Sequence, residues 1–337
     1  MDRIPLETHL RSLLPNDGTR DALITSVIPR LLQSIAAVAD ALRESHSVTA
    51  AGTANTFGDH QLNVDVTAEN LIRHAILDCP SIVTASSEED PIERPVHPPD
   101  SPSPPTEQYT LAFDPLDGSS IIAANWTVGT IFSLWDGPSA LNQPPSTGQT
   151  AAILGVLGPR TTAVVALRVP NTSSLSSSSS QPVQTCFELY LDPSTATWHI
   201  SRPQPTLSPR TTYFAPANLR AASEDQAYMS LVTDYVARRC TLRFSGGLVP
   251  DVAHMLVKGQ GVFLNPVTAQ SRAKLRRLYE LCPIALVVEC AGGKAVDPVD
   301  GGGVLDREVG DCGERGGLVC GSAMAVEEAV GRLLAGR

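Results

Sequence analysis

The sequence predicts an α/β fold of layered sheets covered by helices, and three observations lead there. The chain has 337 residues, 42% of them apolar, enough for one large folded unit or two lobes sharing a core. Segments with helical apolar spacing are interspersed with short runs rich in β-branched and aromatic residues. Glycine and proline punctuate those runs, and no internal repeat is visible.

In chain order, residues 21–44 read as an amphipathic helix, with Ile24, Val27, Ile28, Leu31, Ile35, Val38 and Leu42 at helical spacing and Pro29 as a kink. A second helix over 68–77 would bury Leu71, Ile72, Ala75 and Ile76. Prolines crowd residues 91–105, where neither helix nor ladder can persist, so an exposed loop is expected. Four strands should follow, in the runs ending at Phe113, Trp135, Val169 and Leu191. The serine tract within 172–181 reads as an insertion with no chemistry of its own. Helices are expected at 225–239 and 271–281. A buried strand, IALVVE at 284–289, a glycine-rich stretch and a last helix over 323–334 complete the chain.

The formal charge of −10 argues against a nucleic-acid partner, whose phosphates need basic patches. Small anionic substrates stay compatible, because clustered carboxylates recruit cations first. The first residues lack an apolar leader, and no run is expected to reach the roughly 20 apolar residues that span a bilayer. Seven cysteines at irregular spacing do not form a disulfide framework. A cytoplasmic enzyme without a membrane partner fits these features.

Chemistry concentrates in four acidic bursts: Asp59 and Asp65 in GDHQLNVD, Glu88 and Glu89 in SSEED, Asp114 and Asp117 in FDPLDGSS, and Glu280 in LRRLYE. Hard oxygen ligands of this kind suit magnesium, and several are needed to hold two or three ions. In FDPLDGSS a strand would deliver Asp114, Pro115 would stiffen the turn, and Asp117 and the Leu116 carbonyl would return to the same point. Gly118 lets the backbone approach closely, and the N–H groups that follow can cradle a phosphate oxygen. Singly, each acid is compatible with a solvated surface position or a loop rim. Jointly they point to one metal site.

With these segments in place the sequence resembles the fructose-1,6-bisphosphatase superfamily. FDPLDGSS followed by TVGTIF matches that family's metal-binding turn and next strand, SSEED its paired-glutamate loop, and KLRRLYE its substrate-and-metal segment. ECAGG, VLD and CGS match its C-terminal end. GPRTT, APANLRA and FSGGLVPDV place the chain nearer the sedoheptulose branch. The resemblance implies a layered α-β-α-β-α sandwich. It implies an N-terminal α+β domain over 1–200 carrying the metal-binding carboxylates, with 91–105 and 172–181 as insertions, and a C-terminal α/β substrate domain over 201–337.

It further implies a phosphoric monoester hydrolase that removes the 1-phosphate of a ketose bisphosphate, most directly sedoheptulose 1,7-bisphosphate. Fructose 1,6-bisphosphate, or both sugars, is the alternative substrate, and a non-catalytic binding relative is the alternative class. Glu88, Asp114, Leu116, Asp117 and Glu280 would hold two or three Mg2+, with Mn2+ as a substitute. Asp65 and Glu89 would accept the proton, and Asp59 with Glu88 would orient the nucleophile. Asp117, Gly118, Ser119, Ser120 and Arg276 would meet the reacting phosphate, Lys274 the sugar, and Asn218 the distal phosphate. Arg243 would reach in from a neighbouring subunit of a homodimer or homotetramer. Two departures stand out. The family's phenolic phosphate donors are replaced by Ala221, Phe244 and Asn265, and Ala123 takes a usual aspartate position.

Overall fold

The structure is a computed structural model, and it describes residues 4–14, 18–54, 60–98, 105–170 and 182–336. Strands β1 (Ala50–Ala54) and β2 (His60–Leu62) form a small antiparallel pair. The main sheet has eight strands: β3 (Ile82–Ser87), β4 (Arg94–Pro95), β5 (Tyr109–Asp117), β6 (Val128–Asp136), β7 (Gln149–Leu157), β8 (Thr161–Val169), β9 (Val183–Asp192) and β10 (Thr197–Arg202). Their order is β10-β9-β8-β7-β6-β5-β3-β4, antiparallel except for the parallel β3–β5 pair. A second sheet, ordered β12-β11-β13-β17-β15, contains β11 (Tyr213–Pro216), β12 (Thr241–Leu242), β13 (Val262–Asn265), β15 (Lys294–Val296) and β17 (Leu318–Gly321). Strands β14 (Leu275–Arg276) and β16 (Arg315–Gly316) pair separately.

Strand alternation sorts the main sheet into two apolar faces. Leu111, Phe113, Phe132, Ile153, Val165 and Leu167 pack under helices α1 (Leu6–Leu13), α2 (Ile28–Glu44) and α3 (Asn63–Ile76). Ala112, Ile131, Ala152, Leu154 and Val164 face the other way. That side meets the middle layer of the molecule, after the short helices α4 (Ser119–Ile122) and α5 (Pro145–Gly148) and the outer helix α6 (Gln226–Ala237). The middle layer is α7 (Leu248–Lys258) and α8 (Cys282–Cys290), and α8 touches β6 to β9 on one side and β15 and β17 on the other. The far face of the second sheet is covered by α6 and α9 (Ala323–Ala335), through Tyr228, Leu231, Tyr235, Val326 and Leu333. The layers therefore run α-β-α-β-α, as expected.

The segment IALVVE is helix, not strand. Residues 282 to 288 of α8 are all buried, so the helix lacks the polar stripe that would have betrayed its period. A continuous apolar run reads alike in a buried strand and in a helix enclosed by two sheets. The expected helix over 271–281 is also absent as such. Leu275–Arg276 is a strand, and a π-helical turn, Arg277–Leu281, leads into α8. The same device precedes α2, where the π-helical turn Leu23–Val27 runs into Ile28–Glu44 with Pro29 at its start. Pro29 and Pro283 lack an N–H and crowd the carbonyl four residues back, so the preceding turn widens. The 68–77 helix starts earlier, at Asn63. Strand β7 went unread because its Ala and Gly residues dilute the β-branched signal.

One helical run, Leu23–Glu44, is 22 residues long with hydropathy 1.3, enough by length and composition to cross a membrane, contrary to expectation. Its most apolar stretch is 56% buried in the fold, which accounts for its character as that of a core helix. All seven cysteines are free thiols. The serine tract at 173–180 lies outside the described residues, as do Asp59 and residues 99–104 of the proline-rich segment, whose Arg94–Pro95 pairs with β3 as a two-residue edge strand where no ladder was expected.

Candidate active site

Four chain segments build the site. Strand β3 ends at Ser87 beside Phe113 of β5, and the Glu88 N–H donates to the Phe113 carbonyl at 3.0 Å, placing Glu88 next to Asp114. The β5–β6 register slips between Asp114 and Asp117. Within that slip the Leu116 N–H turns back to Asp114 Oδ1 at 3.0 Å, and the Pro115 carbonyl accepts from Thr130 Oγ1 at 3.0 Å. Gly118, at φ 91°, turns the chain into α4 in a conformation that disfavours a side chain.

The third segment is the start of α7. Its first N–H groups meet Asp117: Leu248 donates to Oδ1 at 3.1 Å and Val249 to Oδ2 at 2.6 Å. The carboxylate therefore lies where a helix N-terminus favours negative charge. Gly129 permits this close seat, since a Cβ there would lie 2.4 Å from Val249 Cβ. The fourth segment is the π-helical turn before α8, whose Glu280 Oε2 accepts the Arg276 backbone N–H at 2.6 Å.

Asp114, Asp117 and Glu280 are all buried, and they offer ligand oxygens that lie within 4.8 Å of one another. Burial raises the Asp114 and Glu280 carboxyls well above the usual range, and in each case Glu88 is the next cause. Asp117 is pushed up to about 7, by burial against the opposing pull of the two α7 N–H groups. Three carboxylates cannot ionise together in so small a space without a cation. The all-oxygen donor set fits a hard divalent ion.

Glu88 stands beside this trio. Its Oε1 accepts from Arg276 Nε at 3.1 Å, and the Arg276 side chain is 1% exposed. Asp65, in the first turn of α3, accepts the Leu62 N–H on Oδ2 at 2.9 Å, and burial followed by Glu88 raises it to about 6. Glu89 accepts from Gln61 Nε2 and is pushed to about 7 by burial, Gln61 opposing, with Asp65 and Glu88 adding to the rise. Behind the SSEED turn, Arg73 donates to Glu69 at 2.5 Å, and Ser87 Oγ donates to the same Glu69 oxygen at 2.9 Å.

A cavity of about 180 Å³ opens from Asp117 and is lined by Asn218, Arg220, Arg272 and Lys274. Asn218 donates to the Pro266 carbonyl at 2.8 Å and holds the cavity wall. Ser119 and Ser120, half-buried and exposed respectively, start α4 and do not line this cavity. Arg243 is exposed, donates to the Leu242 carbonyl at 2.8 Å, and does not line this cavity. Ala123 lines a separate, larger cavity with Trp126, Arg43 and His46. Sequence reasoning missed the α7 N-terminus as a partner of Asp117. The signal was Gly246-Gly247 before an apolar run, a helix start without a side-chain cap. It also left Arg272 and the Glu69–Arg73 pair unassigned.

Comparison with known proteins follows the same lines. Residues 13–174 match the fructose-1-6-bisphosphatase N-terminal domain and 207–333 its C-terminal domain. A chloroplastic sedoheptulose-1,7-bisphosphatase of Spinacia oleracea is 37% identical over 270 residues, 80% of this chain and 63% of the spinach protein, so the match spans less than two thirds of that relative. A class 1 fructose-1,6-bisphosphatase of Geobacter sulfurreducens is 30% identical, covering 88% of this chain and 85% of its own. A 1.85 Å crystal structure of a Toxoplasma gondii protein, provisionally described as a sedoheptulose-1,7 bisphosphatase, superposes with TM-score 0.84 at 34% identity over 98% of this chain and 99% of the other. Fold, acidic cluster and sequence agree that the chain belongs to the fructose-1,6-bisphosphatase family.

Proposed function

We propose that this chain is a metal-dependent phosphoric monoester hydrolase that removes the 1-phosphate of a ketose bisphosphate. Sedoheptulose 1,7-bisphosphate is the first substrate and fructose 1,6-bisphosphate the second reading, which the Geobacter relative supports. The observation that carries the proposal is the buried Asp114–Asp117–Glu280 trio, whose Asp117 also lines a cavity together with Arg220, Arg272 and Lys274.

The trio, with Glu88 and the Leu116 carbonyl, would hold two or three Mg2+, or Mn2+ in their place. Bound divalent ions polarise phosphoryl oxygens and lower the pKa of water. The chain's own residues supply the rest. Glu89 and Asp65, poised at about 7 and 6, take the proton of the attacking water. Asp59 with Glu88 would orient that water. The N–H groups of Gly118 and Ser119, with Ser120, hold the reacting phosphate, and Arg276 adds positive charge while Glu88 fixes its position. Lys274 meets the sugar, and Asn218 stands near the distal phosphate. Arg243, exposed on its own chain, would serve a neighbouring subunit in a homodimer or homotetramer. A cytoplasmic location completes the reading, although the spinach relative is chloroplastic.

Phosphate release by the purified chain with Mg2+, comparing the two bisphosphates at equal concentration and with a chelator as control, tests this. Faster release from the seven-carbon sugar is expected. Equal rates would favour a dual-specificity enzyme, and no release from either would sink the proposal.

A further inference from the structure

Behind the carboxylates lies a cation that the proposed chemistry leaves unused. Arg73 sits about two turns after Asp65 on α3. Its Nε donates to Glu69 Oε1 at 2.5 Å, and one terminal nitrogen donates to Ser87 Oγ at 3.4 Å and to Asp90 Oδ2 at 3.5 Å. The guanidinium also lies over the Phe113 ring, 5.6 Å from its centre. One side chain therefore touches α3, the SSEED turn and β5, the three segments that carry Asp65, Glu88 with Glu89, and Asp114.

The turn is closed by the groups that Arg73 meets. The Ser87 N–H donates to the Asp90 carbonyl at 3.1 Å, and the Asp90 N–H donates back to Ser87 Oγ at 2.9 Å. Ser87 Oγ then donates to Glu69 Oε1 at 2.9 Å. Glu88 and Glu89 are the two residues inside this loop, so its closure sets where their side chains start. Ser87 and Glu69 are both buried, and Glu69 Oε2 has no hydrogen-bond partner among the described residues. Arg73 is the cation that compensates this carboxylate. A planar fork suits the task, since it can serve several acceptors in fixed directions at once. Arg94, by contrast, meets Asp90 from the solvent side at 2.9 Å.

We propose that Arg73 is a positioning residue for the reaction. Through Glu69 and Ser87 it fixes the SSEED turn against α3, so that Glu88, Glu89 and Asp65 stand at a set spacing around the metal ions and the attacking water. This role rests on the metal-dependent reading in one respect, that Glu88 is a metal ligand.

The test compares the wild type with R73Q, S87A, the double variant and R94Q. Three quantities are measured: calorimetric Mn2+ binding, steady-state kinetics with Mg2+, and urea unfolding in chelator. R73Q should weaken Mn2+ binding about tenfold and lower kcat about tenfold or more, with KM for the bisphosphate within about twofold. S87A opens the same turn without removing a charge and should behave alike. The double variant should lose little beyond the larger single effect, because both changes act through one turn. R94Q should match the wild type. Wild-type Mn2+ affinity in R73Q overturns the assignment, even where its unfolding midpoint drops, since Arg73 would then only hold the fold. Equal weakening in R94Q also overturns it, as a general effect of charge. If R73Q does not fold, S87A decides, and unchanged Mn2+ affinity there refutes the role. Mn2+ binding is independent of turnover. Weakened binding in R73Q and S87A therefore upholds the role even if neither sugar is hydrolysed, in which case only the substrate reading falls. A wild type that binds no Mn2+ removes the metal site and this role with it.

Discussion

Replacing Asp117 by asparagine should stabilise the metal-free protein at neutral pH, although it removes a residue assigned to metal binding. In the folded chain burial lifts this carboxyl from its ordinary 3.8 to about 7, so its ionised form costs about 4 kcal/mol there relative to the unfolded chain. The sign follows from linkage. The folded state holds this proton more tightly, so this group's contribution to stability is fully present below pH 3.8 and is lost as pH rises toward 7. The amide of the D117N variant would not titrate, and its one carbonyl oxygen would keep one of the two α7 N–H bonds, at a loss of about 1–3 kcal/mol for the other. That loss applies at every pH, whereas the ionisation cost grows with pH. Between pH 4.5 and 7.5 the stability difference should therefore move by about 3 kcal/mol in favour of D117N. Urea unfolding of both proteins in chelator, followed by linear extrapolation across that range, measures it. A difference that does not change with pH would refute the account of a buried, cation-starved carboxylate. Added Mg2+ should stabilise the wild type more than the variant.

Two other outcomes follow from the same geometry. Glu89→Gln should lower kcat by about 10²–10⁴ and remove an acid limb of the pH–rate profile centred near the Glu89 value of about 7, where protonation abolishes the base; a retained limb would assign it elsewhere. Gly129→Ala would force a Cβ to within 2.4 Å of Val249 Cβ, so a loss of about 1–3 kcal/mol in thermal or urea unfolding is expected, with weakened metal binding as α7 retreats from Asp117; wild-type stability would show that α7 can yield freely.

What the sequence disclosed, and what it hid, divides by distance along the chain. Asp114, Leu116, Asp117 and Gly118 were readable because their turn chemistry is local, and the register slip and the positive φ sit where the motif placed them. The contact of Asp117 with Leu248 spans 131 residues, and that of Arg276 with Glu88 spans 188. No local pattern encodes such pairings. Glu280 was found as an acid but misplaced late in a helix, because the strand Leu275–Arg276 and the proline-widened turn before α8 are tertiary choices. The α8 run failed for the opposite reason. Its burial on every side erased the periodicity that distinguishes helix from strand.

The enclosed position of α8 bears on how the chain is made. During synthesis the eight strands are complete by Arg202, some eighty residues before the helix that fills the space behind them exists. Until then Ile131, Trp135, Leu154 and Val164 belong to an apolar wall that lacks α8, with α7 alone of the middle layer made before it. A ribosome-bound chain at that stage is aggregation-prone and a natural client for holdase chaperones. Chains that stop short of residue 290 should accumulate as insoluble material rather than as soluble half-molecules.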